Sequence, residues 1–215
     1  MLEKRIYCGI DEAGRGCLIG PLIICLVVCD NKLIDIIEYD NKIKDSKLLK
    51  KRDREKIVNK YKKMINYKTI KLLPKEIDNF NINELEMNSI KKLLSYLETT
   101  YGKFDKSIVI DSPFRNNKKI TEEFAKVVDG KIILEHKADR NYKIVSLASI
   151  FAKVFRDKEI EKIKKKIGID FGSGYPSDEK TLIAIKTYGI EKFGKYIRKK
   201  WKTFRKFKQR RLDEF

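Results

Sequence analysis

The feature that most constrains the fold is a pair of apolar, strand-like runs near the beginning of the chain. The runs are RIYCGID and PLIICLVVCD, and a short glycine-containing loop separates them. Antiparallel strands can be joined by a short loop, whereas parallel strands need a long crossover connection. We therefore predict that the two runs pair as antiparallel neighbours. The strands and helices after them are predicted to complete a mixed sheet flanked by helices.

Hydrophobic spacing predicts the elements that follow. Three segments are predicted strands, YKTIKLLP, KSIVIDS and KIILEHK, and KLIDIIEY is a further candidate strand. Helical spacing predicts helices over residues 50–66, over residues 81–101 and near residues 121–128. Asn81 or Asn83 is a candidate cap for the second helix. From Asn141 onward the chain is predicted to be mostly helical, with a break at GIDFGSGYPSD.

The chain is strongly basic, with 50 Lys and Arg against 31 Asp and Glu and a formal net charge of +19. Twelve of the basic residues, against three acidic ones, lie between Lys186 and Phe215. A polyanionic partner is the natural inference, with nucleic acid ahead of a membrane surface. A Lys-rich composition can also reflect genome bias or thermal adaptation. Charge by itself leaves both explanations open.

Nothing in the sequence predicts secretion or membrane insertion. The apolar run from Cys17 to Cys29 is interrupted by Gly20 and Pro21 and is too short to span a bilayer. Acidic residues precede this run, which a signal peptide would not have. The protein is therefore expected to be soluble and cytoplasmic. Its four cysteines and one histidine lack the spacing of a zinc site, so buried free thiols are expected.

Acidic side chains recur where the strand-like runs end. Asp11 ends the first run and Glu12 follows it, Asp111 ends SIVID, and Asp139 follows IILEHKA. Strand ends at one edge of a sheet are places where loops assemble a site on a rigid frame. Adjacent residues of a strand point to opposite faces. Glu12 can therefore join Asp11 only if the strand stops there and the chain turns, which AGRG would permit.

Such a cluster of carboxylates points to a divalent cation. Carboxylates packed together repel one another unless cations neutralise them. Oxygen ligands without cysteine or histidine select hard ions, here Mg²⁺ or Mn²⁺. These ions also bind phosphate oxygens, which reconciles an acidic cluster with a basic chain. Taken singly, each Asp at a strand end could instead be a turn former or a helix cap.

The glycine loop GRGCLIG has two interpretations. It lacks the Lys-Ser/Thr ending of a P-loop and precedes a strand, so the nucleotide-binding motif is excluded. Glycines allow backbone N–H groups to approach a ligand closely. A tight turn without a ligand explains the same composition equally well.

Six motifs occur in the order found in type 2 ribonuclease H: DEAGRG, DSK, IDSP, KAD, ASIFAKVFRD and GSGYPSD. On these motifs the chain resembles ribonuclease HII, in its single-chain archaeal form or in the catalytic subunit of the eukaryotic enzyme, from about Ile6 to about Lys180. The resemblance implies an α/β, RNase H-like fold, with a mixed five-stranded sheet flanked by helices and a small C-terminal helical lobe. We expect a catalytic domain over residues 1–175 and a basic helical lobe and tail over residues 176–215.

The resemblance also implies an activity and a site. The activity is endonucleolytic hydrolysis of RNA paired with DNA, including single ribonucleotides embedded in duplex DNA. Metal-assisted hydrolysis would leave 5′-phosphate and 3′-hydroxyl ends. The implied ligands of Mg²⁺ or Mn²⁺, which are also the catalytic residues, are Asp11, Glu12, Asp111 and Asp139. The residues implied to recognise the ribose 2′-OH, the adjoining phosphate and the RNA–DNA junction are Gly14, Arg15, Gly16 and Tyr175.

Several basic and polar residues are candidate substrate contacts. Ser149, Lys153 and Arg156 lie at positions i, i+4 and i+7 of a predicted helix, along one stripe. Lys153 and Arg156 are expected to reach backbone phosphates or to support the site. The alternative is that they pair with neighbouring acids on a solvated face. Lys47, in DSK, presents the same choice.

The last residues, QRRLDEF, resemble the binding motif for the sliding clamp PCNA. Gln209, Leu212 and Phe215 occupy the motif's glutamine, aliphatic and aromatic positions, and one helical turn could project the apolar pair into a pocket. The alternative is a frayed, charged terminus. The protein is otherwise expected to be a monomer. Two rival functions remain, a different RNase H-like nuclease and a non-catalytic nucleic-acid-binding protein.

Overall fold

In the computed structural model, which describes residues 5–43 and 46–200, five strands form a mixed sheet. The strands are β1 (Arg5–Ala13), β2 (Leu22–Asp30), β3 (Asn66–Leu72), β4 (Asp105–Asp111) and β5 (Lys131–Glu135), in the order β3-β2-β1-β4-β5. β1 pairs antiparallel with β2 and parallel with β4, and β4 pairs parallel with β5. The mixed five-stranded sheet and the antiparallel β1–β2 pair confirm the predictions.

Helices precede and follow these strands along the chain. They are α1 (Asn31–Tyr39), α2 (Lys51–Tyr61), α3 (Pro74–Asn79), α4 (Ile82–Tyr101), α5 (Asn117–Ala125), α6 (Lys143–Ile167) and α7 (Glu179–Tyr188). Short 3₁₀ turns cover Ser46–Leu48, Ala138–Arg140 and Glu191–Tyr196. The predicted helical region after residue 141 is confirmed, with its break between α6 and α7. Of the two candidate caps of α4, Asn81 is the one that caps the helix, because its Oδ1 accepts a hydrogen bond from the N–H of Asn83 at 2.9 Å.

The candidate strand KLIDIIEY is wrong, because this segment forms α1. Asp30 ends β2 and caps the helix, its Oδ1 accepting from the N–H groups of Lys32 at 3.1 Å and Leu33 at 3.0 Å. A capped helix start of this kind contributes about 1 kcal/mol. Ile34 and Ile37 are buried and lie one helical turn apart. The β-branched composition suggested a strand, but cap and spacing favour the helix.

The middle of the sheet is buried because it is covered on both faces. β2 is buried at each position from Leu22 to Cys29, which is typical of a strand with elements packed on either side. In β1, Gly9 allows α6 to approach the strand closely. A Cβ atom built on Gly9 would lie 2.6 Å from the carbonyl carbon of Ile144 and 2.9 Å from the backbone nitrogen of Val145. All four cysteines are buried and free, as predicted.

The described residues divide into two compact units. Of the described residues, those within 5–13, 23–70 and 86–154 form the sheet unit, and those within 14–22, 71–85 and 155–200 form the helical unit. The helical unit has its own apolar core, in which Phe171 and Phe193 pack edge to face with their ring centres 5.8 Å apart. The domain boundary expected near residue 175 stays a prediction.

None of the helices in the described ranges is both long enough and apolar enough to cross a membrane.

Candidate active site

Three aspartates lie at or just beyond the ends of strands that run in the same direction. Asp11 lies near the end of β1, Asp111 is the last residue of β4, and Asp139 lies in the 3₁₀ turn after β5. Because β1, β4 and β5 are parallel neighbours, their carboxyl ends meet at one edge of the sheet. Asp11 and Asp139 are each only 6% exposed. The fold therefore gathers these side chains at the place that the sequence predicted.

The electrostatics of Asp11 show that the three carboxylates interact. Burial, and then the negative charges of Asp111 and Asp139, raise the pKa of Asp11 well above its usual range. Hydrogen bonds from the Ser149 hydroxyl and from the N–H of Glu12, the latter at 2.6 Å, oppose this increase. Positive charge supplied to the cluster would therefore favour the ionised form of this carboxylate.

The turn after β5 places Asp139 beside Asp111. Lys137 adopts a left-handed conformation with φ of +61°, uncommon for a residue other than glycine, and so reverses the chain. The next N–H, of Ala138, donates to Asp111 Oδ1 at 3.0 Å. The Ser146 hydroxyl of α6 donates to the carbonyl of Asp139. These two hydrogen bonds thus tie the turn that carries Asp139 to Asp111 and to α6.

Ser149 links the acid cluster to the DSK segment. Its Oγ lies 3.0 Å from Ser46 Oγ, and both side chains are buried. The buried Arg54 donates to the carbonyls of Ser46 at 3.1 Å and Leu49 at 2.5 Å. Ser149 therefore supports Asp11 from α6. The side chain of Lys47, the third residue of DSK, lies outside the described part of the structure.

Glu12 does not lie in a turn after Asp11, where it was expected from the sequence. β1 does not stop at Asp11 but continues to Ala13, with Glu12 opposite Ile24 of β2. Successive residues of a strand point to opposite faces, so the turn that was to bring Glu12 beside Asp11 is absent. The charges that raise the pKa of Asp11 are those of Asp111 and Asp139. Glu12 is half-buried, and its role as a metal ligand stays a prediction.

The donor set of the acid cluster fits a hard divalent cation. The three aspartates offer carboxylate oxygens only, the ligands that Mg²⁺ and Mn²⁺ prefer. The raised pKa of Asp11 shows that added positive charge would stabilise the ionised cluster. Within residues 5–43 and 46–200, however, no three His, Cys, Asp or Glu side chains are arranged so that they could hold a metal ion. The chemistry of the donors fits such an ion, but the described side chains do not form a completed site for it.

In the helical unit, the glycine loop is shaped by positions that tolerate no side chain. Gly14 has φ of +98°, and a Cβ atom there would lie 2.5 Å from Arg156 Nε and 2.5 Å from the carbonyl oxygen of Pro21. Gly16 is exposed, with no atom within 4 Å of a Cβ built on it. Arg15 is half-buried, and its Nη2 donates to Asn83 Oδ1 at 2.5 Å. Gly14 is therefore structural, whereas Gly16 is open to a ligand.

The loop that carries Tyr175 is bound to the glycine loop. The carbonyl of Gly174 accepts from the N–H groups of Leu18 at 2.7 Å and Ile19 at 3.1 Å. Gly174 has φ of +81° and touches the backbone of Ile19. The N–H of Gly14 donates to the Tyr175 hydroxyl, and burial raises the pKa of this phenol. The structure thus brings together two segments that lie about 160 residues apart in the sequence.

A phosphate contact, one of the two roles predicted for Arg156, requires an exposed side chain, but the side chain of Arg156 is buried. It is 0% exposed, and its Nη2 donates to the carbonyl of Ser173 at 2.9 Å and to that of Ile19 at 3.4 Å. Its guanidinium carbon lies 4.4 Å from the centre of the Tyr175 ring, within range of a cation–π contact. Arg156 is a support for both loops. Lys153, one turn earlier on α6, is half-buried and remains a candidate phosphate contact.

Sequence reasoning missed Arg198. This residue is 0% exposed, and its guanidinium donates to the carbonyls of Gly14 at 2.7 Å, Arg15 at 2.6 Å and Gly20 at 3.0 Å. In the sequence it begins the basic run RKK, where nothing distinguishes it from a solvated lysine. The tail positions Gln209, Leu212 and Phe215 lie outside the described residues.

Comparison with known proteins connects this site to one family. The family model described as ribonuclease HII matches residues 8–204. Ribonuclease HII of Nanoarchaeum equitans is 44% identical over 200 residues, which cover 91% of this chain and 93% of that protein. Ribonuclease HII of Pyrococcus horikoshii is 41% identical over 214 residues, which cover 94% of this chain and 92% of the relative.

Solved structures show the same fold. The crystal structure of ribonuclease H2 from Pyrococcus horikoshii has a TM-score of 0.79 at 40% identity, covering 95% of this chain and 98% of that one. The structure of the PCNA:RNase HII complex from Archaeoglobus fulgidus has a TM-score of 0.79 at 33% identity, covering 92% of this chain and 95% of that one. Bst-RNase HIII in complex with Mn²⁺, at 17% identity and a TM-score of 0.74, supports the fold alone.

Proposed function

The chain belongs to the ribonuclease HII family, and on that premise we propose that it cuts at single ribonucleotides embedded in duplex DNA as well as in longer hybrids. As a member of the family it is a ribonuclease H, an endonuclease that hydrolyses RNA paired with DNA, and its family depends on divalent metal ions. The proposed products carry 5′-phosphate and 3′-hydroxyl ends. Mg²⁺ is the proposed resident ion, with Mn²⁺ as a substitute.

One observation supports the metal-assisted chemistry above all others, the placement of Asp11, Asp111 and Asp139 at the carboxyl ends of neighbouring parallel strands, where burial and the charges of Asp111 and Asp139 raise the pKa of Asp11. Acids placed in this way are unfavourable in the free protein and are stabilised by added positive charge. When bound, divalent cations supply a water that is activated near neutral pH and stabilise charge on the leaving 3′ oxygen. Asp11, Asp111 and Asp139 would hold the ions, with Glu12 as the fourth proposed ligand.

The chain's own residues have separate tasks in this proposal. The hydrogen bonds from Ala138 and Ser149 hold the carboxylates of Asp111 and Asp11, which would serve as ligands of the cations. The only histidine of the sequence, His136, has its Nδ1 3.3 Å from the carbonyl of Ser112, and the proposal gives it no role as a general base, because a metal ion would activate the attacking water. The carboxylates therefore act by position and charge, without transferring a proton themselves.

Recognition of the ribonucleotide is assigned to the glycine loop and Tyr175. The 2′-OH is the group that distinguishes RNA from DNA at one nucleotide, and it can both donate and accept a hydrogen bond. Exposed backbone at Gly16 offers such partners without side-chain interference. Tyr175 lies half-buried beside this loop, where an aromatic ring can stack on a sugar or a base. Together these groups support selection for a ribose.

The test is cleavage of three matched duplexes that contain no ribonucleotide, one ribonucleotide or a run of ribonucleotides in one strand. The proposal expects cleavage of the second and third in Mg²⁺, none of the first, and none at all after chelation of metal. Product ends are assigned by whether a ligase rejoins the nick and whether phosphatase prevents this. Cleavage confined to the long hybrid would refute the single-ribonucleotide part.

We further propose that the C-terminal tail binds a sliding clamp. The supporting observations are the motif-like spacing of Gln209, Leu212 and Phe215 and the similarity of the chain to the RNase HII that was solved together with PCNA. Apolar residues that insert into a groove as one helical turn explain why Leu212 and Phe215 interrupt a basic end.

The clamp proposal is tested by calorimetric titration of the clamp from the same organism. The full chain should release heat on binding, and a chain that ends at Lys208 should not. A second variant, Leu212→Ala with Phe215→Ala, keeps the length and the charge of the tail and should bind as poorly as the truncation. Equal heats from all three chains, or none from the full chain, would contradict the proposal.

A further inference from the structure

The buried guanidinium of Arg198 holds three carbonyl groups of the glycine loop at once. Nη2 donates to the carbonyls of Gly14 at 2.7 Å and Gly20 at 3.0 Å, Nη1 donates to that of Arg15 at 2.6 Å, and Nε donates to that of Gly20 at 3.2 Å. Hydrogen bonds from a charged donor are stronger than those between neutral groups. A single side chain therefore holds both ends of the loop from Gly14 to Gly20.

The backbone around Arg198 is fixed to the same loop. The N–H of Gly20 donates to the carbonyl of Tyr196 at 2.8 Å, and the N–H of Arg198 donates to the carbonyl of Leu18 at 2.9 Å. Ile19 and Ile197 form an antiparallel bridge between these two hydrogen bonds. The short ladder leaves the Arg198 backbone little freedom, so its guanidinium is presented to the loop in one arrangement.

The contacts of Arg198 also orient two backbone donors. In a planar trans peptide the N–H points opposite to the C=O of the same peptide group. Because the carbonyls of Gly14 and Arg15 point toward the guanidinium, the N–H groups of Arg15 and Gly16 point away from it. Gly16 is exposed, and no atom lies within 4 Å of a Cβ atom built on it. Two successive N–H groups that face outward at a glycine form a concave site for an anion or a hydroxyl oxygen.

We infer that Arg198 is a positioning residue for ribonucleotide recognition, which holds the carbonyls of the glycine loop inward so that the Arg15 and Gly16 N–H groups face the ribose 2′-OH and its phosphate. This inference rests on the proposed recognition role of the loop. Arg198 itself is buried and does not touch the substrate. A planar, multidentate guanidinium is required, because the compact ammonium of a lysine is a point donor that cannot span three carbonyls.

The experiment measures binding and cleavage by Arg198→Ala and Arg198→Lys in the full chain. Binding is compared on a one-ribonucleotide duplex and an all-DNA duplex in an Asp111→Asn background, in which cleavage is expected to be at least about 100-fold slower. We expect Arg198→Ala to weaken ribonucleotide-dependent binding by at least about 10-fold. Binding to the all-DNA duplex should change less than about twofold, because Arg198 is buried and contributes little to phosphate attraction. Arg198→Lys should be impaired almost as strongly.

Lys162→Ala is the matched control, since it also removes one positive charge from the helical unit. Its side chain is exposed and pairs with Glu159 in a surface ion pair, which contributes little to stability. We expect it to match the parent in both binding assays. Thermal melting of each variant shows whether it is folded. If Arg198→Ala does not fold, the comparison rests on Arg198→Lys.

Two results would overturn the inference. One is a folded Arg198→Lys protein that recognises the ribonucleotide as well as the parent, which would mean that charge alone matters. The other is an equal loss of binding on both duplexes, which would make Arg198 a general support for DNA binding. If the parent itself shows no preference for the one-ribonucleotide duplex, the proposed recognition role fails first. The inference is then judged by cleavage of the long hybrid, where an unimpaired Arg198→Ala would reject it.

Discussion

Asp111 has two functions in one carboxylate. Its Oδ1 accepts the N–H of Ala138 at 3.0 Å, which fixes the turn that carries Asp139, and its charge raises the pKa of Asp11. The first function needs an acceptor oxygen, whereas the second needs a negative charge. An asparagine keeps the oxygen and removes the charge, so this substitution separates structure from chemistry at a single residue.

Asp111→Asn is predicted to lower single-turnover cleavage of a hybrid by at least about 100-fold, because a neutral amide is a poor ligand for a hard cation. The melting temperature should stay the same or increase slightly, since the Asp11–Asp111 repulsion is relieved. Asp105→Asn, at the exposed beginning of the same strand, should cleave normally. Near-normal cleavage by a folded Asp111→Asn protein would remove Asp111 from the site.

Tyr175 combines a ring contact with a hydroxyl contact, to Arg156 and to Gly14 respectively. Tyr175→Ala is predicted to reduce cleavage at a single ribonucleotide by about 10-fold or more, because stacking on a base or sugar contributes about 1–3 kcal/mol. Binding to all-DNA duplex should be nearly unchanged, since phosphate contacts dominate it. Tyr188→Ala, an exposed tyrosine of α7, is the control. Equal losses in both assays would show that Tyr175 only holds its loop in place.

At the scale of elements, the close contact between β1 and α6 supports the acid cluster from behind. β1 carries Asp11, while α6 carries Ser149, whose hydroxyl is a hydrogen-bond partner of Asp11. Gly9 permits the contact, because the backbone of α6 occupies the space where a side chain would lie. The separation of these two elements therefore determines the distance between Asp11 and its support.

Gly9→Ala is predicted to lower the free energy of unfolding by about 1–3 kcal/mol, the usual cost of overpacking a core against unyielding backbone. The melting temperature should fall by about 2–4 °C for each kcal/mol. Urea denaturation and thermal melting measure both quantities. Gly16→Ala is the control for stability, since no atom lies within 4 Å of its added methyl group. A Gly9→Ala protein as stable as the control would contradict the tight β1–α6 contact.

For the molecule as a whole, the charge of +19 matters mainly through where it is placed. Lys195, Lys199 and Lys200 are exposed in the helical unit, and the backbone N–H groups of the last two are bound by Asp78 at 2.8 and 3.0 Å. These lysines thus extend from an anchored segment. Lys202 and the remaining tail lysines lie outside the described residues.

Reversing Lys195, Lys199 and Lys200 to Glu is predicted to weaken binding to duplex DNA and to flatten its dependence on salt. Each lost phosphate contact should reduce the slope of log affinity against log salt by about 0.9. Reversing Lys103, Lys118 and Lys119, which are exposed in the sheet unit, changes the net charge equally and serves as the control. Identical slopes for the two variants would show that net charge alone governs binding.

The sequence by itself determined the order of elements, the hairpin-like pairing of β1 with β2 and the positions of three acids beside parallel strands. These features follow from local information, because residue spacing specifies a helix or a strand and a short loop permits only antiparallel pairing. The order of the six motifs was sufficient to predict the family. Local information failed at KLIDIIEY, where composition favoured a strand and the Asp30 cap decided for a helix.

Only the tertiary structure decided which side chains are covered. The helical stripe predicted that Ser149, Lys153 and Arg156 share a face, but it could not show that Ile19 and Ser173 bury the end of that face at Arg156. Arg198 was indistinguishable from solvated lysines, since its partners lie about 180 residues earlier. Hydrogen bonds to distant carbonyls leave no periodic signal, so the supports of the glycine loop became visible only in the folded chain.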